Sequence, residues 1–517
     1  MMASLPRIAT GLTSTLLLSC LAICSSSVAA QASGQCGINN LKTSYPAPVA
    51  ADDWSYRLIA SDLSRPRGIL FDTEGALIVV DTGVGILHLE LEDQGRTCLR
   101  VRKKTVLLEN EDASCLYSQN PMSYANTMPQ LNHGIALSKD GRTLYASTDD
   151  KVFSWSYDPS SPSLSSSSSR TIVSNMTNSG HTSRTLLLSS KYPEMLLVSR
   201  GSAGNEDEEA EDRSTGHSQL RAFNISAFSD DDDAKSYDFM DGDLLGWGLR
   251  NSVGVAEHPE TGGIYSVENS VDNLSRKGRD IHTDNPGEEL NFHGYLNGSD
   301  ENQGGNYGYP VCYTLWSTKN FPDLGDLQTG DQFPADRSGD DDTSSTPSDE
   351  ECNTDYVPPV LAFQAHTAPL DIKFDEDGSR AFVSFHGSWN REDPVGYEIS
   401  VTSFQNGRPA SPSNSTNATT PIIYNTALSN CPGDCFRPVG LAWDSKGRLW
   451  FSSDSTGEIF VLNSDDNDRA DQGDDDDDDG GESGGDADDS AASQFLRPGS
   501  GAFAVTLAAV VMGFFLA

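Results

Sequence analysis

The chain has 517 residues and a formal net charge of -41 at pH 7. Such an excess of carboxylates repels phosphate, which argues against a nucleic-acid partner. Much of the negative charge lies in short acidic runs rich in Gly and Ser, which indicates solvated segments outside a folded body.

The first thirty residues have the pattern of a signal peptide. Arg7 precedes an apolar run from Leu12 to Ile23, and the small residues Val28, Ala29 and Ala30 follow. This order is typical of a secretory leader, so residues 1–30 are expected to be removed. We therefore predict an extracellular protein that begins near Gln31.

The cysteines and glycosylation triplets agree with export. An oxidising compartment favours disulfides. The spacing suggests the local pairs Cys98 with Cys115, Cys312 with Cys352, and Cys431 with Cys435, which leaves Cys36 unpaired. Asn-x-Ser/Thr triplets, expected on a glycosylated surface protein, begin at Asn175, Asn224, Asn273, Asn297, Asn414 and Asn417.

Six similar segments follow one another in the body of the chain. Each contains a short apolar or alternating run, a turn that often carries Asp and Gly, and a second run that ends in small polar residues. The segments are Arg67 to Leu91, His133 to Tyr157, Arg184 to Gly201, Ser252 to Asn269, Pro369 to Trp389, and Val439 to Leu462. Alternation with period two and Asp/Gly turns predicts antiparallel hairpins.

Six such units predict an all-β protein whose residues 31–463 form a six-bladed β-propeller. The alternative is a pair of generic β-sandwich domains, which six similar units without a linker make less favourable. The fourth and fifth copies are separated by additional chain, from Val271 to Gln364. We expect this long loop excursion to cover one end of the propeller and to shape a pocket.

The C-terminal part predicts a stalk and a lipid anchor. Residues 464–490 contain an acidic run that cannot bury enough apolar surface to fold. Small residues from Ser490 to Ala492, a polar spacer and the apolar end Ala502 to Ala517 follow. This order resembles a glycosylphosphatidylinositol (GPI) attachment signal over residues 491–517, with Ser490 as the modified residue. A tail-anchored segment is the alternative.

Polar residues recur just before the first run of the repeats. In a propeller the innermost strands converge on a central channel, so side chains from several blades can face one ligand. Guanidinium groups with an imidazole predict a site for a planar polyanion and a proton acceptor. The candidates are Arg65, Arg67, Asn132, His133, Arg250, Asn251, His366 and Arg437.

Five segments carry a family resemblance. They are LNHGIALSKDGRTLYAS, GWGLRNSVGVAEHPETGGIYSVEN, GGNYGYP, AHTAPLDIKF and FHGSWNREDPVGY. Together they resemble the soluble glucose/sorbosone dehydrogenases that depend on pyrroloquinoline quinone (PQQ), in particular the secreted fungal sorbosone and pyranose dehydrogenases. The resemblance implies oxidation of the C1 hemiacetal of an aldose or osone by hydride transfer to PQQ, and a separate electron acceptor.

The resemblance also implies roles for individual residues. His133 matches the general base, and Arg250 matches the Arg beside the quinone carbonyl. Arg391 resembles a residue that binds a PQQ carboxylate, and Arg437 is a second candidate for that role. Further cofactor-side candidates are Asn132, Asn251, His366, Trp389 and the aromatic walls Tyr307 and Tyr309.

A calcium ion is part of the implied site. In the family it bridges PQQ and main-chain carbonyl groups in the loop after the inner strands of the fourth blade. The corresponding carbonyl groups here belong to Asn269 and Ser270. The Asn273 triplet is close to this loop, so a glycan there must point outward.

The sequence departs from the family pattern at one position, and other interpretations of the site residues and of the function stay open. Asn132 stands where bacterial members have an acid before the base, which puts the orientation and pKa of His133 in question. His133 and His366 could instead be structural caps, and His386 and Trp389 could only pack the blade. The rival functions are a calcium-dependent, strictosidine-synthase-like lactonase and a non-catalytic cell-surface propeller.

Overall fold

The computed structural model describes residues 36–110, 130–164, 169–230, 234–336 and 346–465. The predicted leader, anchor and nearly all of the acidic stalk lie outside these ranges. Within them, no helix is long and apolar enough to cross a membrane.

The first three blades follow two short strands. Those two strands are β1 (Val49–Ala50) and β2 (Trp54–Ala60). The first blade contains β3 (Pro66–Phe71), β4 (Leu77–Asp81), β5 (Gly85–Asp93) and β6 (Leu99–Glu109). The second contains β7 (Ile135–Leu137), β8 (Thr143–Ser147), β9 (Val152–Ser156) and β10 (Arg170–Ser174). The third segment contains β11 (Leu186–Leu188), β12 (Met195–Arg200), β13 (Gln219–Asn224), α1 (Ala227–Asp230), β14 (Tyr237–Asp238) and β15 (Asp243–Trp247).

The last three blades are interrupted by insertions. The fourth segment contains β16 (Ser252–Glu257), β17 (Gly263–Glu268), β18 (Ser275–Arg276), β19 (Arg279–Asp280), β20 (Glu288–Tyr295), β21 (Cys312–Thr314), β22 (Gln332–Pro334), α2 (Asp349–Thr354) and β23 (Leu361–Phe363). The fifth contains β24 (Pro369–Phe374), β25 (Arg380–Phe385), β26 (Glu398–Gln405), β27 (Arg408–Pro409) and β28 (Thr419–Tyr424). The sixth contains β29 (Pro438–Trp443), β30 (Leu449–Ser453) and β31 (Glu458–Ser464).

Six of the sheets that these strands form are the blades, which are antiparallel except for one pair and are arranged as a closed ring. The first strand of each blade contacts the first strand of the next, through β3, β7, β11, β16, β24, β29 and back to β3. The N-terminal strand β2 completes the sixth blade beside β31, while β1 pairs with β28 of the fifth blade. Strand β14, which follows β13 in the third segment, pairs in parallel with β10 of the second blade. The predicted six-bladed β-propeller is therefore confirmed.

Glycines allow the innermost strands to pack closely. A Cβ atom on Gly68 of β3 would lie 2.1 Å from the carbonyl oxygen of His133, and one on Gly440 of β29 would lie 2.2 Å from that of Arg67. No side chain fits at such separations, so glycine is required at both positions. This close packing places the polar residues before each strand around one axis.

The range from Val271 to Gln364 contains two insertions rather than one. Strands β20 and β23 complete the fourth blade, so the additional chain lies between β17 and β20 and between β20 and β23. Arg276 of β18 joins the two insertions, because its Nη1 and Nη2 each donate to Asp349 of α2 at 2.8 Å. Their own apolar core includes Leu274, Tyr313 and Phe333.

Three disulfides occur among the described residues, and one differs from the prediction. Cys312–Cys352 and Cys431–Cys435 agree with it. The pairing of Cys98 with Cys115 is wrong, because Cys98 is bonded to Cys36 with a Cα–Cα distance of 5.3 Å. The side chain of Asn39 donates to the carbonyl groups of Leu58 and Leu99, which holds the N-terminal segment beside Cys98.

Candidate functional site

The residues before the innermost strands are held by the ends of the neighbouring strands. In three blades the main-chain N–H of such a residue donates to a side chain at the end of the second strand. These bonds join Arg65 to Asp81 (2.6 Å), Arg250 to Glu268 (2.8 Å) and Arg437 to Ser453 (3.0 Å). The polar and acidic residues that end the second run of these repeats therefore fix the loops of the candidate site.

One cluster of charges joins the first, fifth and sixth blades. Asp454, directly after β30, accepts a bond from Arg67 Nη1 at 2.7 Å and contacts His386 Nε2 at 2.8 Å. Arg437 donates to the carbonyl oxygens of His386 and Gly387. Burial alone would raise the pKa of Asp454, but His386 and the two guanidinium groups lower it well below its usual range. Asp454 is therefore an anion that holds these groups together.

His133 lies beside this cluster and is only 5% exposed. Burial lowers the pKa of its imidazole well below 6.5, and the positive charges of Arg67 and Lys373 lower it further against the weaker opposing effect of Asp454. Its Nδ1 is buried and has no hydrogen-bond partner among the described residues. His133 is therefore a neutral imidazole at physiological pH.

A second cluster surrounds Arg250 and joins the third and fourth blades. Arg250 is 5% exposed, and its Nε and Nη2 donate to the carbonyl and side-chain oxygens of Asn205 at 3.1 and 2.9 Å. Its Nη1 donates to the carbonyl of Asn269 at 3.2 Å, and Nη2 contacts Asp272 at 3.3 Å. The hydroxyl of Tyr309 donates to the same carbonyl of Asn205. Arg250 thus organises the calcium-loop candidate through its own hydrogen bonds.

His366 connects this cluster to the fifth blade. It adopts a left-handed φ of 66°, its Nδ1 lies 3.6 Å from Asp272, and its Nε2 bonds to the carbonyl of His282. Burial alone would lower the pKa of His366, but Asp272 and Glu288 outweigh it and raise the pKa above 6.5. His366 therefore differs from His133, because its surroundings favour the charged form.

Glu288 fixes the loop that contains Ser270. Its two side-chain oxygens accept the main-chain N–H groups of Ser270 at 2.7 Å and Ala368 at 3.1 Å. Burial raises the pKa of Glu288 to about 7, although these hydrogen bonds oppose the shift. Asn269 donates its side-chain Nδ2 to the carbonyl of Pro369. Asn269 is therefore held by the start of the fifth blade, and Ser270 by Glu288 of β20 in the fourth blade.

Hydrogen bonds connect the two clusters through the second and third blades. Asn132 donates to the carbonyl of Thr182 at 3.1 Å, and its own carbonyl accepts from Thr82. His181 N donates to the carbonyl of Ser202 at 2.9 Å, and Ser202 N donates to that of Arg250 at 2.8 Å. These bonds connect the residues of the two clusters with Asn132, His181 and Ser202. We call this set of polar residues at the end of the channel the belt.

The remaining predicted residues, Arg391, Trp389, Tyr307 and Asn251, differ in their exposure and hydrogen bonds. Arg391 has a side chain that is 8% exposed, with Nη2 3.8 Å from Asp284, and its Nε and Nη1 are buried without a partner among the described residues. Trp389 is 66% exposed, whereas Tyr307 is 1% exposed and donates its hydroxyl to the carbonyl of Phe292. Asn251 uses its carbonyl to accept the N–H of Asn269. Tyr307 thus packs between blades, while Trp389 faces solvent.

Several polar residues of the belt were not predicted from the sequence. Glu268 ends the second strand of its blade and Asp454 directly follows one, and that recurring position was the available signal. His181 precedes the third innermost strand, as His133 precedes the second, but it lies farther from its apolar run. Lys373 lies within β24, where it contacts Asp371 at 2.7 Å and its charge acts on His133.

Comparison with known proteins identifies the family of this chain. The family model described as TrAA12-like matches residues 48–465. A protein of Hypocrea jecorina named pyrroloquinoline quinone-dependent sugar dehydrogenase is 52% identical over 84% of this chain and 93% of its own length. A pyrroloquinoline quinone-dependent pyranose dehydrogenase of Coprinopsis cinerea is 35% identical over 78% of this chain and 53% of its own length.

Solved structures give the same result. The calcium structure of the Trichoderma reesei family AA12 enzyme is 52% identical, has a TM-score of 0.76, and is matched over 83% of this chain and 99% of that one. The holo form of the Coprinopsis cinerea pyranose dehydrogenase PQQ domain is 34% identical, with a TM-score of 0.70, over 82% and 98% of the two chains. The chain described here therefore belongs to the AA12 family.

Proposed function

We propose that this chain is an extracellular, GPI-anchored quinoprotein that oxidises the C1 hemiacetal of an aldose or osone, with PQQ as the hydride acceptor. The observation that carries the proposal is His133, a buried neutral imidazole with a partnerless Nδ1 beside the half-buried guanidinium group of Arg67. Relatives named as PQQ-dependent sugar and pyranose dehydrogenases support it.

The buried donors of this chain fit a flat tricarboxylate such as PQQ. Arg391 Nε and Nη1 and Asn390 Nδ2 are buried and have no partner among the described residues. Buried guanidinium nitrogens without an acceptor are costly, and a carboxylate would supply the acceptors that Nε and Nη1 lack. Arg391 would therefore bind a carboxylate of the cofactor, while Arg250 and Arg437 supply positive charge from opposite parts of the belt.

A calcium ion would be held mainly by main-chain oxygens. The part of the chain that the structure describes has no group of three His, Cys, Asp or Glu side chains suited to a metal. The carbonyl groups of Asn269 and Ser270 lie in a loop fixed by Arg250 and Glu288, and hard cations bind such oxygens. The ion would act there as a Lewis acid toward the quinone.

The proposed chemistry assigns a single proton transfer to His133. The neutral imidazole accepts the proton of the C1 hydroxyl, while the C1 hydrogen leaves with its electron pair. When bound, PQQ supplies the acceptor for that hydride. The sugar thereby becomes a lactone, and the proton rests on His133 until solvent removes it. Because the pKa of His133 is low, the protonated imidazole releases this proton readily.

Activity is tested by adding PQQ and calcium to the apoprotein and measuring dye reduction with a panel of sugars. Binding with turnover supports the proposed dehydrogenase. Cofactor binding without turnover favours a surface protein that has lost catalysis, and failure to bind PQQ contradicts the proposal.

The cellular location is tested separately. The leader and the anchor are proposed from residues 1–30 and 491–517 of the sequence. Phosphatidylinositol-specific phospholipase C should release the protein from intact cells. Protein that stays on the membrane after this treatment contradicts the lipid anchor without affecting the proposed chemistry.

A further inference from the structure

A second imidazole lies in the belt and has no part in the mechanism above. His181 is half-buried in the loop before β11, between the loops that carry Asn132 and Arg250. Its main-chain N–H donates to the carbonyl of Ser202 at 2.9 Å, and its carbonyl accepts from Arg184 Nη1 at 2.7 Å. The ring is therefore held at the same end of the propeller as the proposed site.

The hydrogen bonds of Ser202 determine which nitrogen of His181 carries the proton. Ser202 Oγ donates to the carbonyl oxygen of Gly204 at 2.7 Å and lies 2.8 Å from His181 Nδ1. A hydroxyl has one hydrogen, and a carbonyl can only accept. Ser202 must therefore accept at its other contact, so His181 Nδ1 carries the hydrogen.

This assignment leaves Nε2 of the neutral ring with a lone pair. Burial and the charge of Arg250 lower the pKa of His181 to about 4, so the ring is neutral at physiological pH. In the part of the chain that the structure describes, Nε2 has no hydrogen-bond partner, although Nδ1 is bonded. The lone pair of Nε2, beside Arg250, can therefore accept a hydrogen bond from a hydroxyl group of a ligand.

We propose that His181 is a positioning residue that accepts a hydrogen bond from a sugar hydroxyl other than the one at C1, through Nε2. This inference rests on the proposed function, since it assigns an orienting contact to the same site. The hydroxyl of Ser202 and the carbonyl of Gly204 act through His181, by holding its tautomer. The substrate class is thereby narrowed to sugars that present a hydroxyl donor toward the third blade.

Two substitutions of His181 test whether the sugar uses the acceptor at Nε2. His181→Asn retains a donor near the Nδ1 position and lacks an acceptor at Nε2, whereas His181→Gln can place an amide oxygen near Nε2. We expect His181→Asn to raise KM for the best sugar about tenfold, the effect of about 1.4 kcal/mol, with kcat changed less than about threefold. His181→Gln should recover most of the lost affinity.

A monodeoxy series of the same sugar identifies the contacted hydroxyl. The unmodified protein should discriminate against one deoxy derivative, and His181→Asn should lose that discrimination. A fall in kcat with unchanged KM would assign His181 to the chemical step and overturn the proposal. Equal kinetics for all three proteins would overturn it as well.

A spectroscopic measurement tests the inference without turnover. Long-range ¹H–¹⁵N correlation of histidine-labelled full-length protein should show His181 as the neutral Nδ1–H tautomer, and Ser202→Ala should produce a mixture of tautomers. Addition of aldopyranoses should shift the Nε2 resonance. A shift without turnover contradicts the proposed function only, whereas an Nε2–H tautomer, or no shift in a protein that turns over, contradicts the role of His181.

Discussion

At the scale of single residues, the chemistry depends on a neutral His133. Replacing it with Ala should lower kcat by at least about 100-fold, because a positioned general base contributes 10²–10⁴-fold. Absorption of bound PQQ should remain, since the buried donors of Arg391 are unchanged. Dye reduction and a cofactor titration on the same preparation measure both effects, and turnover near the unmodified rate would contradict the assignment.

The pH dependence follows from the direction of the His133 pKa shift. Its folded-state pKa lies well below 6.5, so the imidazole stays neutral and active as the pH falls through 6.5. The acid limb of kcat/KM should therefore have its midpoint well below 6.5, whereas a solvent-exposed histidine would lose activity near that value. Measured midpoints near 6.5 would show that His133 is not held neutral by burial.

Asp454 is predicted to be a structural anion of the site. Asp454→Asn would leave the half-buried guanidinium groups of Arg67 and Arg437 with less compensation, at a cost of about 1–3 kcal/mol in the free energy of unfolding. Denaturant unfolding measures this change. Asp377→Asn, on an exposed turn of the fifth blade, is the matched control and should change stability by less than about 0.5 kcal/mol.

At the scale of elements, the contacts between the innermost strands limit what can be substituted. Gly68→Ala would bring a Cβ to 2.1 Å from the carbonyl oxygen of His133, and separating the first two blades should cost about 1–3 kcal/mol. Activity should fall with stability, because the displaced carbonyl belongs to the proposed base. Thermal unfolding and dye reduction measure the two effects.

Gly37→Ala provides the control for this substitution. Nothing lies within 4 Å of a Cβ built at Gly37. It should therefore leave both the unfolding temperature and the activity close to those of the unmodified chain. Equal behaviour of the two variants would contradict the proposed close approach of the first two blades.

The repeats predicted the paired strands of every blade, because period-two alternation and Asp/Gly turns are local properties. The outer strands of the fourth blade were not separated from the insertions, since β20 pairs with β17, and β23 with β20, only after long connections. Asp454 was not predicted as a site residue for the same reason. Its role depends on contacts with Arg67 and His386, which are remote from it in the sequence.

At the scale of the whole molecule, the ring is closed by the N-terminal part of the chain. Strand β2 completes the sixth blade, and Cys36 is bonded to Cys98 in the first blade. Sequence spacing favoured Cys115 as the partner of Cys98 because it is nearer in the chain. Closure of the propeller instead brings the N-terminal segment to β6, and no local pattern encodes that contact.

The Cys36–Cys98 disulfide should stabilise this closure. It joins cysteines 62 positions apart, and replacing both with Ser should lower the free energy of unfolding by about 2–4 kcal/mol. Mass spectrometry of the non-reduced, proteolysed protein should also find the Cys36 and Cys98 peptides joined. Peptides that join Cys98 to Cys115 would contradict the closure described here.

The account as a whole requires one shared cavity for the belt. A crystal structure of the protein with PQQ and calcium tests this requirement directly. We predict a cofactor carboxylate within hydrogen-bond distance of Arg391 Nε or Nη1, the quinone carbonyls between Arg250 and His133, and calcium on the carbonyls of Asn269 and Ser270. A cofactor bound elsewhere, or a structure in which Arg391 and His133 face different cavities, would contradict the redox function.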